Sequence, residues 1–246
     1  MKKKGKPIQG DDSSPCLIEE SDKDMAGEDL GIGKVAAAIS KAQTILVVAH
    51  RNPDGDTLGS MLGLGRGLEK LGKTVVFACP DPPPEKLRFM PGIDRVVHQI
   101  EGHADVALAV DCGEAALLGS LKESFLAMPV TVQVDHHELG TPFTTLRYID
   151  LSAAAVGEMV FRLLRELDVA VDRDIATCLM VSLMEDTGGF RYPNVKPSTM
   201  VVAGELLKAG ADFPGLIEQL YWTRSAGDVR LAGRVVENVR FAGDGV

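Results

Sequence analysis

The sequence predicts an α/β fold: a doubly wound, mostly parallel sheet followed by a helical half. Three observations carry this expectation. Continuous β-branched and apolar runs such as Thr44–Ala49 (TILVVA) suit strands buried on both faces. Up to about residue 150 such runs alternate with helical patterns, as in βαβ units. After Ile149 the strand-like runs stop and five helical patterns follow.

Taken in order, residues 1–28 read as a disordered tail. Lys2, Lys3, Lys4, Lys6 and Lys23 stand there against seven acids, with no apolar period to offset ordering entropy. From residue 29, Leu30, Ile32, Val35, Ala38 and Ile39 form one face of an entry helix. The first strand is Thr44–Ala49, followed by a helix over Thr57–Leu71 that Gly72 stops. Lys73–Ala78 is the second strand. Pro80, Pro82, Pro83 and Pro84 break the chain before a short helix near Glu85–Met90. Further strands are expected at Arg95–Ile100, Asp105–Val110 and Val130–Val134. Residues 153–167, 172–187, 197–209, 213–221 and 226–240 read as helices.

Composition narrows the function classes. The 246 residues are 45% apolar and 25% charged, which excludes collagen-like, fibrous and wholly disordered chains. No apolar run reaches the roughly 18–20 residues of a membrane helix, so no membrane partner is expected. Lys2–Lys4 lack a following apolar core, so the expected location is the cytoplasm rather than a secretory route. The four cysteines show no CxxC spacing and read as free thiols of a reducing compartment. With 26 Lys+Arg against 35 Asp+Glu the net charge is −9, unlike a protein that grips duplex nucleic acid. A short anionic substrate remains compatible if bound cations supply the positive field.

The chemistry concentrates at strand ends, where open α/β sheets bind ligands. One run ends in His50-Arg51-Asn52-Pro53-Asp54-Gly55-Asp56, another in Asp111-Cys112-Gly113-Glu114, a third in Asp135-His136-His137. A fourth cluster, Glu185-Asp186-Thr187-Gly188-Gly189-Phe190, closes a helical pattern. Asp54 and Asp56 are close enough to repel, a cost that a divalent cation removes. Carboxylates with imidazoles suit Mn²⁺, Mg²⁺, Fe²⁺ or Zn²⁺, and the lack of thiolates argues against structural zinc. Each cluster alone has a plainer reading: a solvated Asp-Gly-Asp turn, an Asp111 helix cap boxed with Glu114, exposed loop histidines. Their joint occurrence favours ligation, with three of five histidines directly after buried-strand patterns and His98 and His103 left as surface residues.

The runs VAHRNPDGDTLGS (48–60), VDCGE (110–114), VDHHE (134–138) and EDTGGFRYPN (185–194) resemble the four ordered motifs of the DHH phosphoesterase superfamily. The resemblance extends over about residues 32–240, SAAAVGEMVFRLL (152–164) included, and is strongest to the NrnA-like bifunctional oligoribonuclease and 3′-phosphoadenosine-5′-phosphate phosphatase branch. It implies a metal-dependent phosphoesterase acting on short oligonucleotides or 3′,5′-bisphosphonucleosides through a hydroxide activated by two divalent ions. Mn²⁺ is the first choice, with Mg²⁺ or Fe²⁺ as substitutes. It assigns His50 and Asp54 to one metal and Asp56, His136 and Asp186 to the other, with Asp111 bridging. His137 faces the scissile phosphate, and Asp135 orients a neighbouring histidine. Asn52 and Arg191 are candidate phosphate contacts, Arg191 equally a structural ion-pair partner. Implied partners are short single-stranded oligonucleotides or mononucleotides and a second copy in a homodimer.

The glycines of the first long helix (Gly59, Gly63, Gly65, Gly67) lie inside the helix pattern, so close packing of helix on sheet explains them better than a nucleotide loop. Tyr221 and Trp222 read as core anchors before base-stacking platforms, and Met180 and Met184 as core. The expected division is a tail (1–28), a DHH catalytic domain (29–225), and a linker helix with the shortened start of a DHHA1-like domain (226–246). The family's DHHA1 lobe binds substrate, so a chain extended with it is expected to have a lower KM. Two alternatives stand beside this reading: a manganese-type inorganic pyrophosphatase, and a non-catalytic nucleotide-binding lobe.

Overall fold

A computed structural model describes residues 31–138 and 141–240. The tail at 1–28, Leu30 of the entry helix, and the DHHA1-like start at 241–246 lie outside the described residues. Among the described residues, five strands and eight α-helices follow one another as α1 (Ile32–Lys41), β1 (Thr44–Val48), α2 (Gly55–Lys70), β2 (Thr74–Ala78), β3 (Val106–Val110), α3 (Lys122–Leu126), β4 (Thr131–Asp135) and β5 (Leu146–Ile149). There follow α4 (Val156–Glu166), α5 (Arg173–Asp186), α6 (Pro197–Lys208), α7 (Phe213–Ile217) and α8 (Ala226–Glu237).

The sheet is parallel throughout, in the order β2-β1-β3-β4-β5. The chain winds outward from β1 to β2, then crosses to β3 on the other side. That reversal makes β1/β3 the switch point, where a crevice opens above the strand ends. The period of two sorts the strand side chains onto two apolar faces. Ile45, Val47, Val106, Leu108, Val110, Val132 and Val134 join the larger cluster with α2, α4 and α5. Leu46, Val48, Ala107 and Ala109 face the smaller one, closed by Leu118, Leu121, Phe125 and Met128.

Helix α2 is buried along most of its length and packs on neighbours on several sides, which its glycines permit. A Cβ on Gly59 would lie 2.4 Å from the Cys178 carbonyl oxygen, one on Gly63 2.5 Å from Leu179, and one on Gly67 2.3 Å from Leu164. Only Gly65 abuts the sheet, at Phe77. The close-packing reading holds, with helices α4 and α5 rather than the sheet as the main neighbours.

Several expectations need correction. Arg95–Ile100 is not a strand: a short 3₁₀ turn covers Ile93–Arg95 and only Val97 pairs, through one bridge to Ala78. Left-handed Gly92 and Gly102 bracket the segment and leave too short an extended run at the sheet edge. β5 was not foreseen; Arg147 interrupts its apolar pattern, and only Tyr148 is buried. Residues 213–221 split into α7 and a wider π turn over Glu218–Trp222. Tyr221 is anchored, its hydroxyl donating to the Met184 carbonyl at 2.6 Å, but Trp222 is 75% exposed and no core anchor. Asp111 caps no helix, since the helical turn after β3 begins beyond Glu114.

Candidate metal centre

The switch point gathers the acids and imidazoles of four segments. His50 stands two residues past β1, Asp111 directly after β3, Asp135 ends β4, and His136 and His137 follow it. Asp54 caps α2, accepting a hydrogen bond from the Thr57 N–H at 3.0 Å, and Asp56 sits in the first turn of α2. Asp186 is the last residue of α5. Asp111 itself takes φ +57°, a left-handed turn that Asp tolerates better than most residues.

Two three-ligand groups result, each with donor atoms within 4.8 Å of one another: His50, Asp54 and Asp111, and Asp56, His136 and Asp186. A third such group, Asp111 with His136 and His137, overlaps them. His50 Nε2 lies 3.3 Å from Asp111 Oδ2. His136 Nε2 lies 3.3 Å from Asp186 Oδ2, 3.7 Å from Asp56 Oδ2 and 3.9 Å from Asp111 Oδ1. Asp111 therefore reaches toward both imidazoles, one oxygen to each.

Hydrogen bonds outside the cluster aim these atoms. His50 Nδ1 donates to the Arg51 carbonyl at 2.8 Å, and His136 Nδ1 to the Ala153 carbonyl at 3.0 Å, leaving Nε2 of each ring as the free lone pair. Asp135 is fully buried; its Oδ1 accepts from the His136 and His137 backbone N–H groups and lies 2.9 Å from His137 Nδ1. Asp56 is held by the Ser182 hydroxyl at 2.5 Å, the Ser60 hydroxyl at 3.2 Å, and the Val156 and Gly157 N–H groups at the start of α4. The Thr57 hydroxyl donates to Asp111 Oδ2 at 2.5 Å. Sequence reasoning did not single out Thr57, Ser60 or Ser182. Helical spacing was the available signal, because Ser60 lies one turn past Asp56 and Ser182 one turn before Asp186.

The charge balance is unfavourable without a cation. Burial, then the nearby Asp111 and Asp186 carboxylates, hold the Asp56 carboxyl well above the usual range. Burial is the largest influence and opposes charge on His50 and His136, but the surrounding acceptors together outweigh it: Asp111, the Arg51 carbonyl and Asp54 around His50, and Asp186, Asp56, the Ala153 carbonyl and Asp111 around His136. The two imidazoles are pushed up to about 9 and about 10. The hydrogen bond to Asp135 likewise raises His137. Asp111 Oδ1 and His136 Nε2 are buried with no hydrogen-bond partner and lie 3.9 Å apart. Orphaned buried acceptors in an oxygen and imidazole donor set, without thiolate, fit a hard or borderline divalent cation.

Beside the cluster opens a cleft of about 450 Å³, lined by His50, Asn52, Asp54, Asp111, His137 and Asp186 together with Arg51, Gly113 and Leu117. Asn52 is thus among the residues that line the cleft. Arg191 does not line it; its Nε donates to the Gly188 carbonyl and its guanidinium lies over the Tyr221 ring, 5.7 Å from the centroid. Cys79, Cys112 and Cys178 are buried free thiols, whereas Cys16 lies outside the described residues. No described helix is long and apolar enough to cross a membrane.

A parallel α/β sheet with a carboxylate–imidazole cluster at its switch point defines the class, a protein built to hold divalent cations beside an open cleft. The chain belongs to the DHH family, whose N-terminal domain matches residues 44–183. It is similar to the bifunctional oligoribonuclease and PAP phosphatase NrnA of Thermus thermophilus, at 34% identity over 80% of this chain and 59% of that protein. The protein of the same name from Bacillus subtilis is 30% identical over 84% of this chain and 66% of its own. These relatives place the chain in the NrnA-like branch of a family of phosphoester hydrolases. The chain spans less than two thirds of the length of either. Its fold also matches the crystal structure of an exopolyphosphatase-related protein from Bacteroides fragilis, with TM-score 0.81 and 27% identity over 87% of this chain and 67% of that one.

Proposed function

We propose that this chain carries the catalytic centre of a cytoplasmic phosphoesterase that hydrolyses short single-stranded oligonucleotides and 3′,5′-bisphosphonucleosides. The observation that carries the reading is the pair of three-ligand groups, with Asp111 of the first 3.9 Å from His136 of the second and both of those atoms lacking a hydrogen-bond partner. His50, Asp54 and Asp111 would hold one ion, and Asp56, His136, Asp186 and Asp111 the other, Mn²⁺ being the first choice. Divalent cations bound there supply Lewis acidity toward phosphoryl oxygens and a nucleophilic water at neutral pH.

The chain's own residues do the rest. Asp135 fixes the His137 ring through Nδ1, which leaves Nε2 as the nitrogen that meets substrate. That carboxylate raises the His137 pKa, which favours a ring that donates to the scissile phosphate and can pass a proton to the leaving oxygen. Asn52, which lines the same cleft, offers its amide to the phosphate. The contacts of Arg191 with Gly188 and Tyr221 favour the structural role for that residue.

The test loads the protein with Mn²⁺ and follows release from adenosine 3′,5′-bisphosphate, a labelled diribonucleotide and pyrophosphate. The expected result is turnover of the nucleotide probes, lowered by roughly 10³-fold or more in Asp111→Ala, which removes the shared ligand. Release from pyrophosphate alone would move the assignment to an inorganic pyrophosphatase. Nucleotide binding without release would make the chain a binding lobe.

A further inference from the structure

The cation cluster accounts for one phosphate, and a second feature of the same cleft is unused by that chemistry. Arg51 is the only lysine or arginine among the residues lining the cleft, and it is exposed there. Among the described residues no hydrogen bond or ion pair engages its guanidinium; the contacts of Arg51 run through its backbone. Other basic side chains near these elements are committed. Lys86 pairs with Glu185 at 2.9 Å, Arg66 with Asp174 and Arg95 with Glu69. Arg51 is left without a partner even though Asp54, Asp111 and Asp186 line the same cleft.

The backbone around Arg51 is pinned, so its stem leaves from a fixed point. Its N–H donates to the Leu117 carbonyl at 2.8 Å, and its carbonyl accepts from His50 Nδ1. The next N–H, of Asn52, donates to Asp81 Oδ2 at 2.8 Å, with Asn52 at φ +52°. The stem passes the left-handed turn at Gly119, where an added Cβ would stand 3.8 Å from the Arg51 Cβ. Arg51 also follows His50 directly, at a Cα separation of about 3.8 Å. Its guanidinium therefore works within about one nucleoside of the ligand cluster. A guanidinium held this way is suited to forked pairing with a phosphate.

We infer that Arg51 anchors a second phosphate of the substrate, one nucleoside away from the phosphate being cleaved. This deepens the phosphoesterase reading and rests on it for the position of the first phosphate. It supplies one recognition element for both a 3′,5′-bisphosphonucleoside and a 5′-phosphorylated dinucleotide. Pyrophosphate, with both phosphorus atoms on one bridging oxygen, gains little from it.

Two phosphorothioate-linked dinucleotides, one with a 5′-phosphate and one with a 5′-hydroxyl, are titrated calorimetrically into the Mn²⁺-loaded chain. Release from the matching phosphodiesters gives kcat and KM. The wild-type chain is expected to bind the phosphorylated probe about 10- to 100-fold more tightly. Arg51→Gln should erase most of that advantage, mainly as a rise in KM. Arg51→Lys should keep part of it, and the remote Arg88→Gln all of it. The inference is overturned if the wild type shows no preference, or if Arg51→Gln weakens both probes equally. A preference that tracks Arg51 in a chain that releases nothing would instead defeat the proposed hydrolysis and leave the anchor standing.

Discussion

Ser182 shows how far the centre depends on groups that are not ligands. Its hydroxyl donates to Asp56 Oδ1 and accepts from the Gly157 N–H at 2.8 Å, tying α5 to the start of α4 through one atom. Asp56 is fully buried and crowded by other acids, so its orientation rests on such donors. Ser182→Ala should lower affinity for Mn²⁺ by about 10- to 100-fold, the usual cost of losing a group that orients a metal ligand. Calorimetric titration with Mn²⁺ reads this directly, and an unchanged affinity would show that the N–H groups of Val156 and Gly157 suffice. Asp135 lies 2.9 Å from His137 Nδ1 and is the corresponding group for that ring.

At the scale of elements, α2 is the joint between sheet and helical half, and its glycines are not interchangeable with those elsewhere. Gly59→Ala places a methyl against a backbone carbonyl, and a well-packed site pays about 1–3 kcal/mol for such crowding. In Gly204, on α6, an added Cβ meets nothing within 4 Å, so Gly204→Ala should stabilise by about 0.5–1 kcal/mol through helix propensity. Thermal melts of the two variants should move in opposite directions. The sequence made α2 visible as a helix and its glycines as packing positions, because both follow from local period. Buried strands β1, β3 and β4 were equally legible, being continuous apolar runs. β5 was not, since a four-residue edge strand with Arg147 at its centre has almost no pattern of its own. The opposite error arose at Arg95–Ile100, where Val96, Val97 and Ile100 imitate a strand that the sheet edge does not accept. The clustered acids and imidazoles could be picked out because each sits at or near the end of a recognisable strand or helix. Ser182 and the carbonyl of Ala153 were not, since their partners lie 126 and 17 residues away and only the fold brings them together.

For the whole molecule, cation loading, protonation and stability are one linked equilibrium. With His50 and His136 at about 9 and about 10, both rings carry a proton at neutral pH in the absence of a cation. Their raised values stabilise the cation-free fold fully below the unfolded-state value near 6.5, and that contribution fades as pH climbs through 9 to 10. Ligation needs the neutral rings, so Mn²⁺ should expel protons at pH 7 and bind more tightly as pH rises toward 9. Calorimetry in buffers of different ionisation enthalpy counts those protons; a binding heat independent of buffer would contradict the linkage. At a free Mn²⁺ concentration 100 times Kd, the folded state should gain about 2.7 kcal/mol, visible as a raised Tm. The ladder that joins β1 to β3, with Val48 opposite Ala109, has a further consequence. His50 and Asp111 follow closely on these two paired strands, so widening the mouth between them would strain main-chain pairing. Adaptation to bulkier esters is thereby left to exposed side chains at the rim, the Arg51 guanidinium first, while the floor stays constant.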